Sequence, residues 1–220
     1  MNELLFFVHV CLVAASSLAV LRYGKSGLMA LIALESVVAN IFVVKQVVLF
    51  GLHVTCSDVF IVGSLLSLNL LQEFWGKEVA QRAVKISFFS MFFFLVMAKV
   101  HLLYAPSSHD QSQSSFMHIF SLTPRLVLAS VVVYFLAQQI DLRLFSWLKK
   151  RFPHWPLAVR TGTSLIISQT FDTALFSFLG LYGAVASITD IMVMSLVIKA
   201  VVIGCSMPFV AVSRRFVRVA

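Results

Sequence analysis

Ser168, Gln169, Asp172 and Thr173 place an acid, an amide and two hydroxyls inside an otherwise apolar run, LIISQTFDTALFSFLGLYG. On a helix, Ser168 and Asp172 are four residues apart, Gln169 and Asp172 three, and Gln169 and Thr173 four, so all share one face, with Phe176 one turn beyond Asp172. A carboxylate, an amide, a hydroxyl and an aromatic ring aimed into one space suit the binding of a polar ligand or an ion. The run is apolar enough to cross a membrane, where a central carboxylate costs about 2.5–3.5 kcal/mol on insertion scales, so Asp172 needs a partner. Two readings stay open on these residues: Asp172 pairs with Lys199 or an arginine to fix helix packing, or it lines a ligand or ion pathway. The second is favoured because ionisable groups inside membranes more often mark pathways.

The elements that must position these residues follow from composition. The 220 residues are 60% hydrophobic and 12% charged, with a mean hydropathy of +0.97, which describes a polytopic membrane protein rather than a soluble domain. The expected fold is an all-α bundle of transmembrane helices forming a single domain over residues 1–220. Apolar stretches of about 20 residues predict seven spans: Leu4–Leu21, Leu28–Phe50, Cys56–Phe74, Ile86–Tyr104, Arg125–Leu144, Leu157–Leu181 and Ile188–Val212. Every second connector is basic, and those between lack Lys and Arg. The positive-inside rule then places Lys25, Lys77, Arg82, Lys149, Lys150, Arg151, Arg214 and Arg215 in the cytoplasm, with the N-terminus outside and the C-terminus inside. The first span reads as a retained helix, because its positive charge follows the apolar stretch.

The formal charge of +8 punctuates apolar runs instead of forming one soluble basic face, so nucleic acid is not an expected partner. Cys11, Cys56 and Cys205 lie on different spans, and the six histidines form no ligand pair at helical spacing, so neither disulfide, metal nor other cofactor is expected. The long connector from Ala105 to Thr123, rich in Ser, Gln and His, reads as a flexible loop. Polar residues stranded in the spans carry the remaining signal. Glu35, Asn40 and Lys45 fall on the second span, Asp58, Asn69, Gln72 and Glu73 on the third, and Lys99 and His101 on the fourth. The fifth carries Arg125, Gln138, Gln139 and Asp141, and the seventh Lys199. At about 1.5 Å per residue, Asp172 lies roughly 18 Å along its helix from Arg160 and Lys199 roughly 22 Å from Arg214, so the two can meet near the midplane. Glu35 and Lys45 are expected to matter less than Asp172. Glu73 and Trp75, near a helix end, read equally as a site or as an interfacial anchor, and Arg125 equally as a site or a snorkelling residue.

These motifs occur in a telling order. Asn40 and Lys45 come first, then Asn69-x-x-x-Glu73-Phe74-Trp75-Gly76 before a basic connector, then Gln138-x-x-Asp141, then Gln169-x-x-Asp172-Thr173. The pattern resembles the queuosine precursor transporter family, also called vitamin uptake transporters, over the second to seventh spans. Departures are Asn69 where many members have Asp, Trp75 where Tyr is usual, and an extra N-terminal span within residues 1–25 beyond the usual six. The resemblance implies a carrier in the cell inner membrane that imports 7-deazaguanines such as queuine, preQ0 or preQ1 for tRNA modification. A guanine-like edge offers a ring N–H and an exocyclic amine that one carboxylate accepts as a pair. Asp172 or Glu73 would supply the carboxylate and Gln169, Asn69, Gln138 or Asn40 the amide, while Phe171, Phe176 or Trp75 would stack on the ring. Ser168, Thr173 and Asp141 complete the set, with Lys199 or Arg125 balancing charge, between the third, fifth, sixth and seventh spans. Alternating access would move the substrate.

The expected partners are this small molecule, the lipid bilayer and, as one option, further copies of the chain. A second reading is a substrate-binding membrane subunit of a vitamin-type importer that borrows a separate ATPase, since the sequence has no P-loop of its own. An intramembrane aspartyl protease is disfavoured, because no Gly-x-Gly-Asp segment is present, and no enzymatic activity is expected.

Overall fold

A computed structural model of the chain describes residues 1–120, 124–182 and 188–217. Its helices are α1 (Asn2–Leu21), α2 (Gly24–Phe42), α3 (Ser57–Trp75), α4 (Lys77–Leu102), α5 (Gln113–Phe120), α6 (Pro124–Arg151), α7 (Leu157–Phe176) and α8 (Ile188–Val212). α7 continues as a π-helical turn, Ser177–Leu181, and α8 into a 3-10 turn, Ser213–Arg215. Helices α1, α2, α4, α6 and α8 contain segments long and apolar enough to cross a membrane. This is a helical, multi-pass membrane bundle.

Three expectations about its elements change. The second span was expected to reach Phe50, but α2 stops at Phe42, and strands β1 (Gln46–Leu49) and β2 (Leu52–Thr55) form an antiparallel hairpin. The β-branched pairs Val43-Val44 and Val47-Val48 favour extended chain. Phe50 (φ 52°) and Gly51 (φ 80°) make the two-residue turn with positive φ at both positions that hairpin twist requires. Lys45 is therefore exposed between helix and hairpin, not inside a span. Next, most of the basic connector WGKEVAQRAVK is the first turns of α4. Gly76, at φ 89°, is the single hinge residue between α3 and α4. Finally, the long connector contains α5, whose Phe116 stacks on Phe120 at 5.7 Å and meets His101 edge-on at 5.8 Å; its residues 121–123 lie outside the described part.

α3 is the axis of the bundle. Every residue from Val62 to Gln72 is buried, and α1, α2, α4, α6, α7 and α8 all pack against it. A helix surrounded on all sides buries its polar residues too, which explains why α3 falls short on hydropathy, while α7 does so because it buries one polar face, including Thr161, Ser164, Ser168, Gln169 and Asp172, and exposes the other. Small side chains permit the close approach. Ser17 of α1 hydrogen-bonds Ser67 at 2.9 Å, and a Cβ built on Gly63 would stand 2.4 Å from Val13 Cγ1 and 2.9 Å from Glu35 Oε1. The outer surface is apolar: Leu4, Phe89, Phe93, Ile166 and Val193 are exposed, as residues facing lipid should be.

The two ends of the bundle differ. At one end the hairpin is tied to α1, where Asn2 Nδ2 donates to Val48 O at 3.1 Å and Phe50 N donates to Glu3 Oε1 at 3.3 Å. The other end gathers the basic connectors, with Lys149, Arg160 and Arg214 around Glu73 and Arg22 over the Phe216 ring at 5.4 Å.

Gly63→Val should lower the thermal unfolding midpoint in detergent, because overpacking at such a crossing costs about 1–3 kcal/mol. Gly204→Ala, where an added Cβ meets nothing within 4 Å, should leave the midpoint unchanged; equal behaviour of the two variants would contradict the packing.

Candidate functional site

The last turns of α7, the start of α3 and the middle of α8 bring three charges together. Lys199 Nζ lies 2.6 Å from Asp172 Oδ2, 2.9 Å from Thr173 Oγ1 and 3.7 Å from Asp58 Oδ1. Ser195 Oγ, one turn before Lys199, donates to Asp58 Oδ2 at 3.5 Å. Lys199 is 3% exposed and Asp172 7%, so each charge depends on the others. Desolvation costs roughly several kcal/mol per buried ion, and only close pairing with hydrogen bonding offsets it.

These groups stand in the wall of a cavity of about 820 Å³, within the roughly 300–1,000 Å³ typical of small-molecule sites. The hairpin, through Val44, Gln46 and Thr55, and His118 of α5 also line it, so it lies toward the hairpin end. Asn40 of α2, Tyr134 of α6 and Phe176 of α7 complete a polar and aromatic interior. Asn40 Nδ2 donates to Ser36 O at 2.9 Å.

Deeper in the bundle is a fully buried polar layer. Asp141 Oδ1 accepts from Ser164 at 2.6 Å and from Ser168 at 3.2 Å, joining α6 to α7. Gln138 Nε2 donates to Tyr134 Oη at 2.7 Å, Tyr134 to Ser64 at 3.0 Å, and Ser87 to Gln138 Oε1 at 3.1 Å, joining α6 to α3 and α4. Asn69 and Gln169 are buried, and among the described residues no partner meets hydrogen-bond geometry with their amide atoms. Unmet amides in a dry interior are costly, so each such group needs an explanation.

At the basic end Glu73 is surrounded by cations: Arg160 Nη2 at 3.0 Å, Lys149 Nζ at 3.0 Å and Arg214 Nη2 at 3.6 Å. Lys149 also donates to the Glu73 carbonyl at 2.8 Å. This cluster ties α3, α6, α7 and the end of α8 into one closed junction. Trp75 meets Phe74 edge-on beside it, at 5.9 Å.

The residues singled out in the sequence thus separate into three depths. Asp172, Thr173, Phe176, Asn40 and Lys199 line the cavity; Ser168, Gln169, Asn69, Gln138 and Asp141 are in the buried layer; Glu73 and Trp75 are at the basic end. Glu73 and Asp58 are separated by 15 residues of α3, about 22 Å, so Glu73 does not share a space with Asp172. The side chain of Arg125 lies outside the described residues. Sequence reasoning did not place Asp58 in a site, because an acid in the first turn of a helix is an ordinary partner for the helix dipole. Tyr134 was not singled out, although its spacing of four from Gln138 was a usable signal.

Lipid-facing helices around a charged cavity of small-molecule size, with an ion-pair cluster at the opposite end, are the architecture of a membrane transport protein. Residues 55–213 match the family described as "Putative vitamin uptake transporter". The chain is also 32% identical over 199 residues to the "Probable queuosine precursor transporter" of Bacillus subtilis (strain 168), covering 89% of this chain and 86% of that one. No solved structure matches it. The chain belongs to the vitamin uptake transporter family.

Lys199→Met leaves two buried carboxylates without their cation and should remove about 3–5 kcal/mol of stability, read as a lower unfolding midpoint in detergent. Adding Asp172→Asn should restore part of that loss; no recovery in the double variant would contradict a shared charge.

Proposed function

We propose that this protein imports 7-deazaguanine precursors of queuosine through the cavity bounded by Asp58, Asp172 and Lys199. The observation that carries the reading is one ammonium held between two carboxylates in a cavity wall. A ligand presenting a ring N–H beside an exocyclic amine can take over one carboxylate while Lys199 keeps the other, so no buried charge is ever left alone. Asp172 is the recognition carboxylate, Phe176 the stacking ring and Asn40 the nearest amide. The name of the Bacillus subtilis relative supports the substrate class.

The cavity lies toward the hairpin end, and the Glu73 cluster closes the other. By the positive-inside rule the basic end is cytoplasmic, with the N-terminus outside, and the conformation is open to the outside. α3 crosses the membrane as an interior helix and α7 with one face toward lipid, giving seven spans. Opening inward separates Glu73 from Arg160 and Lys149 and delivers the base past the buried layer, where Asn69, Gln169 and Asp141 meet it in transit. This is alternating access about a site near the midplane.

The test is uptake of labelled queuine, preQ0 and preQ1 by cells lacking their own carrier and synthesis, using a C-terminal fluorescent fusion that matures only in the cytoplasm. Wild type should fluoresce and accumulate label. Asp172→Asn should insert equally and lose about tenfold to hundredfold in apparent affinity, as expected for a charge-assisted hydrogen bond of about 1.5–3 kcal/mol. Normal insertion with wild-type uptake would refute the role of Asp172, and a dark fusion would refute the orientation.

A further inference from the structure

Glu35 stands apart from the other acids inside the bundle. It is 4% exposed, and among the described residues neither of its carboxylate oxygens has a hydrogen-bond or ion-pair partner. Asp58 and Asp172 share Lys199, Glu73 has its arginine and lysine, and Asp141 has two serines. Glu35 instead packs where Gly63 leaves room for it, its Oε1 only 2.9 Å from where a Cβ on Gly63 would stand, with Val13 of α1 on the same spot. Among the described residues it joins no cluster of three His, Cys, Asp or Glu side chains, so the place does not suit a divalent ion. An ionised carboxylate in such surroundings, with no protein cation or donor among the described residues, is among the most costly groups a protein can bury. The neutral acid is far cheaper.

The surroundings also give it contact with the transport route. Ser36 and Ala39, next to Glu35 and one turn on, line the cavity. Ser64 follows Gly63 and accepts a hydrogen bond at 3.0 Å from Tyr134, which also lines the cavity. The titratable groups inside the neighbouring helices are Glu3 and His9 on α1, Asp58 and Glu73 on α3, and Tyr134 and Asp141 on α6; Cys11 of α1 and Lys77, Glu78, Arg82, Lys85, Lys99 and His101 of α4 are exposed.

We propose that Glu35 is the proton carrier that couples import to a proton gradient, a role resting on the transport reading above. With the cavity open to the outside, a proton from its water bonds to a Glu35 oxygen, and the helices close against Gly63 around the neutral acid. When the bundle opens to the other side, that O–H bond breaks and the proton leaves to water there. One proton crosses with each substrate. Asp172 and Glu73 are poor candidates for the task, because each already balances a cation.

The experiment uses the purified full chain in proteoliposomes with labelled queuine. Counterflow at equal pH reads transport itself, and accumulation against an inside-alkaline gradient of one pH unit reads coupling. Wild type should show counterflow and accumulate about tenfold, the limit for one proton per neutral substrate without a membrane potential. Glu35→Gln should retain counterflow and accumulate no further than equilibrium. Accumulation by Glu35→Gln, or a wild type that exchanges but ignores the gradient, overturns the proposal. Should Glu35→Gln also lose counterflow, labelling of wild type with dicyclohexylcarbodiimide, which attacks protonated carboxyls in apolar surroundings, decides the matter. Modification at Glu35 supports the proposal; modification at Asp58 or Asp172 with Glu35 untouched overturns it. A wild type without any counterflow refutes the transport reading, and the coupling role falls with it.

Discussion

One ammonium must serve two carboxylates in the interior of this bundle, and much of the structure is arranged to make that tolerable. Lys199 can be buried only because Asp172 and Thr173 meet it at hydrogen-bond distance, with Asp58 somewhat further away. The three charges come from three helices, so α3, α7 and α8 are held in register by electrostatics in a medium where lipid supplies little hydrophobic drive between helices. The arrangement is strong against separation of the helices and soft against exchange of partners. A recognition site that must also let go of its ligand needs both properties.

α3 links this triad to the opposite end. Its first turn carries Asp58 and its last turn Glu73, and the residues between are buried against six other helices. Movement of α7 or α8 relative to α3 therefore acts on both ion clusters. The Lys199 cluster has spare carboxylate and the Glu73 cluster spare cation, so neither is a locked neutral pair. The glycine and serine positions along α3 give the neighbouring helices smooth surfaces on which to shift, and Gly63 is where Glu35 enters that contact.

Much of this was legible in the sequence, because membrane physics restricts what an apolar run can be. The helices, the alternation of basic connectors and the face shared by Ser168, Gln169, Asp172 and Thr173 all follow from spacing, and the depth comparison pointed to Lys199 as a partner for Asp172. What the sequence concealed was local or distant. The hairpin after Phe42 hid in a valine-rich stretch as apolar as a helix, and the basic segment after Gly76 looked like a loop because charge was taken to mark a connector, although helices continue past the membrane core. Asp58 could not be assigned to the triad, since a contact between residues 58 and 199 has no signature in either segment. Glu73 resembled Asp172 by type and family motif, and only its surroundings separate a cation-bound junction from a cavity wall. Glu35 was ranked behind Asp172, and what marks it, the lack of a hydrogen-bond or ion-pair partner among the described residues, is equally invisible in the sequence.

The most direct test of the shared-lysine account is a structure of the protein with a deazaguanine bound. The account predicts the base in the cavity beside Phe176, its N–H edge on the Asp172 carboxylate, and Lys199 moved from its 2.6 Å contact with Asp172 toward Asp58. A base bound away from the triad, or bound there with the Lys199–Asp172 contact unchanged, would contradict it.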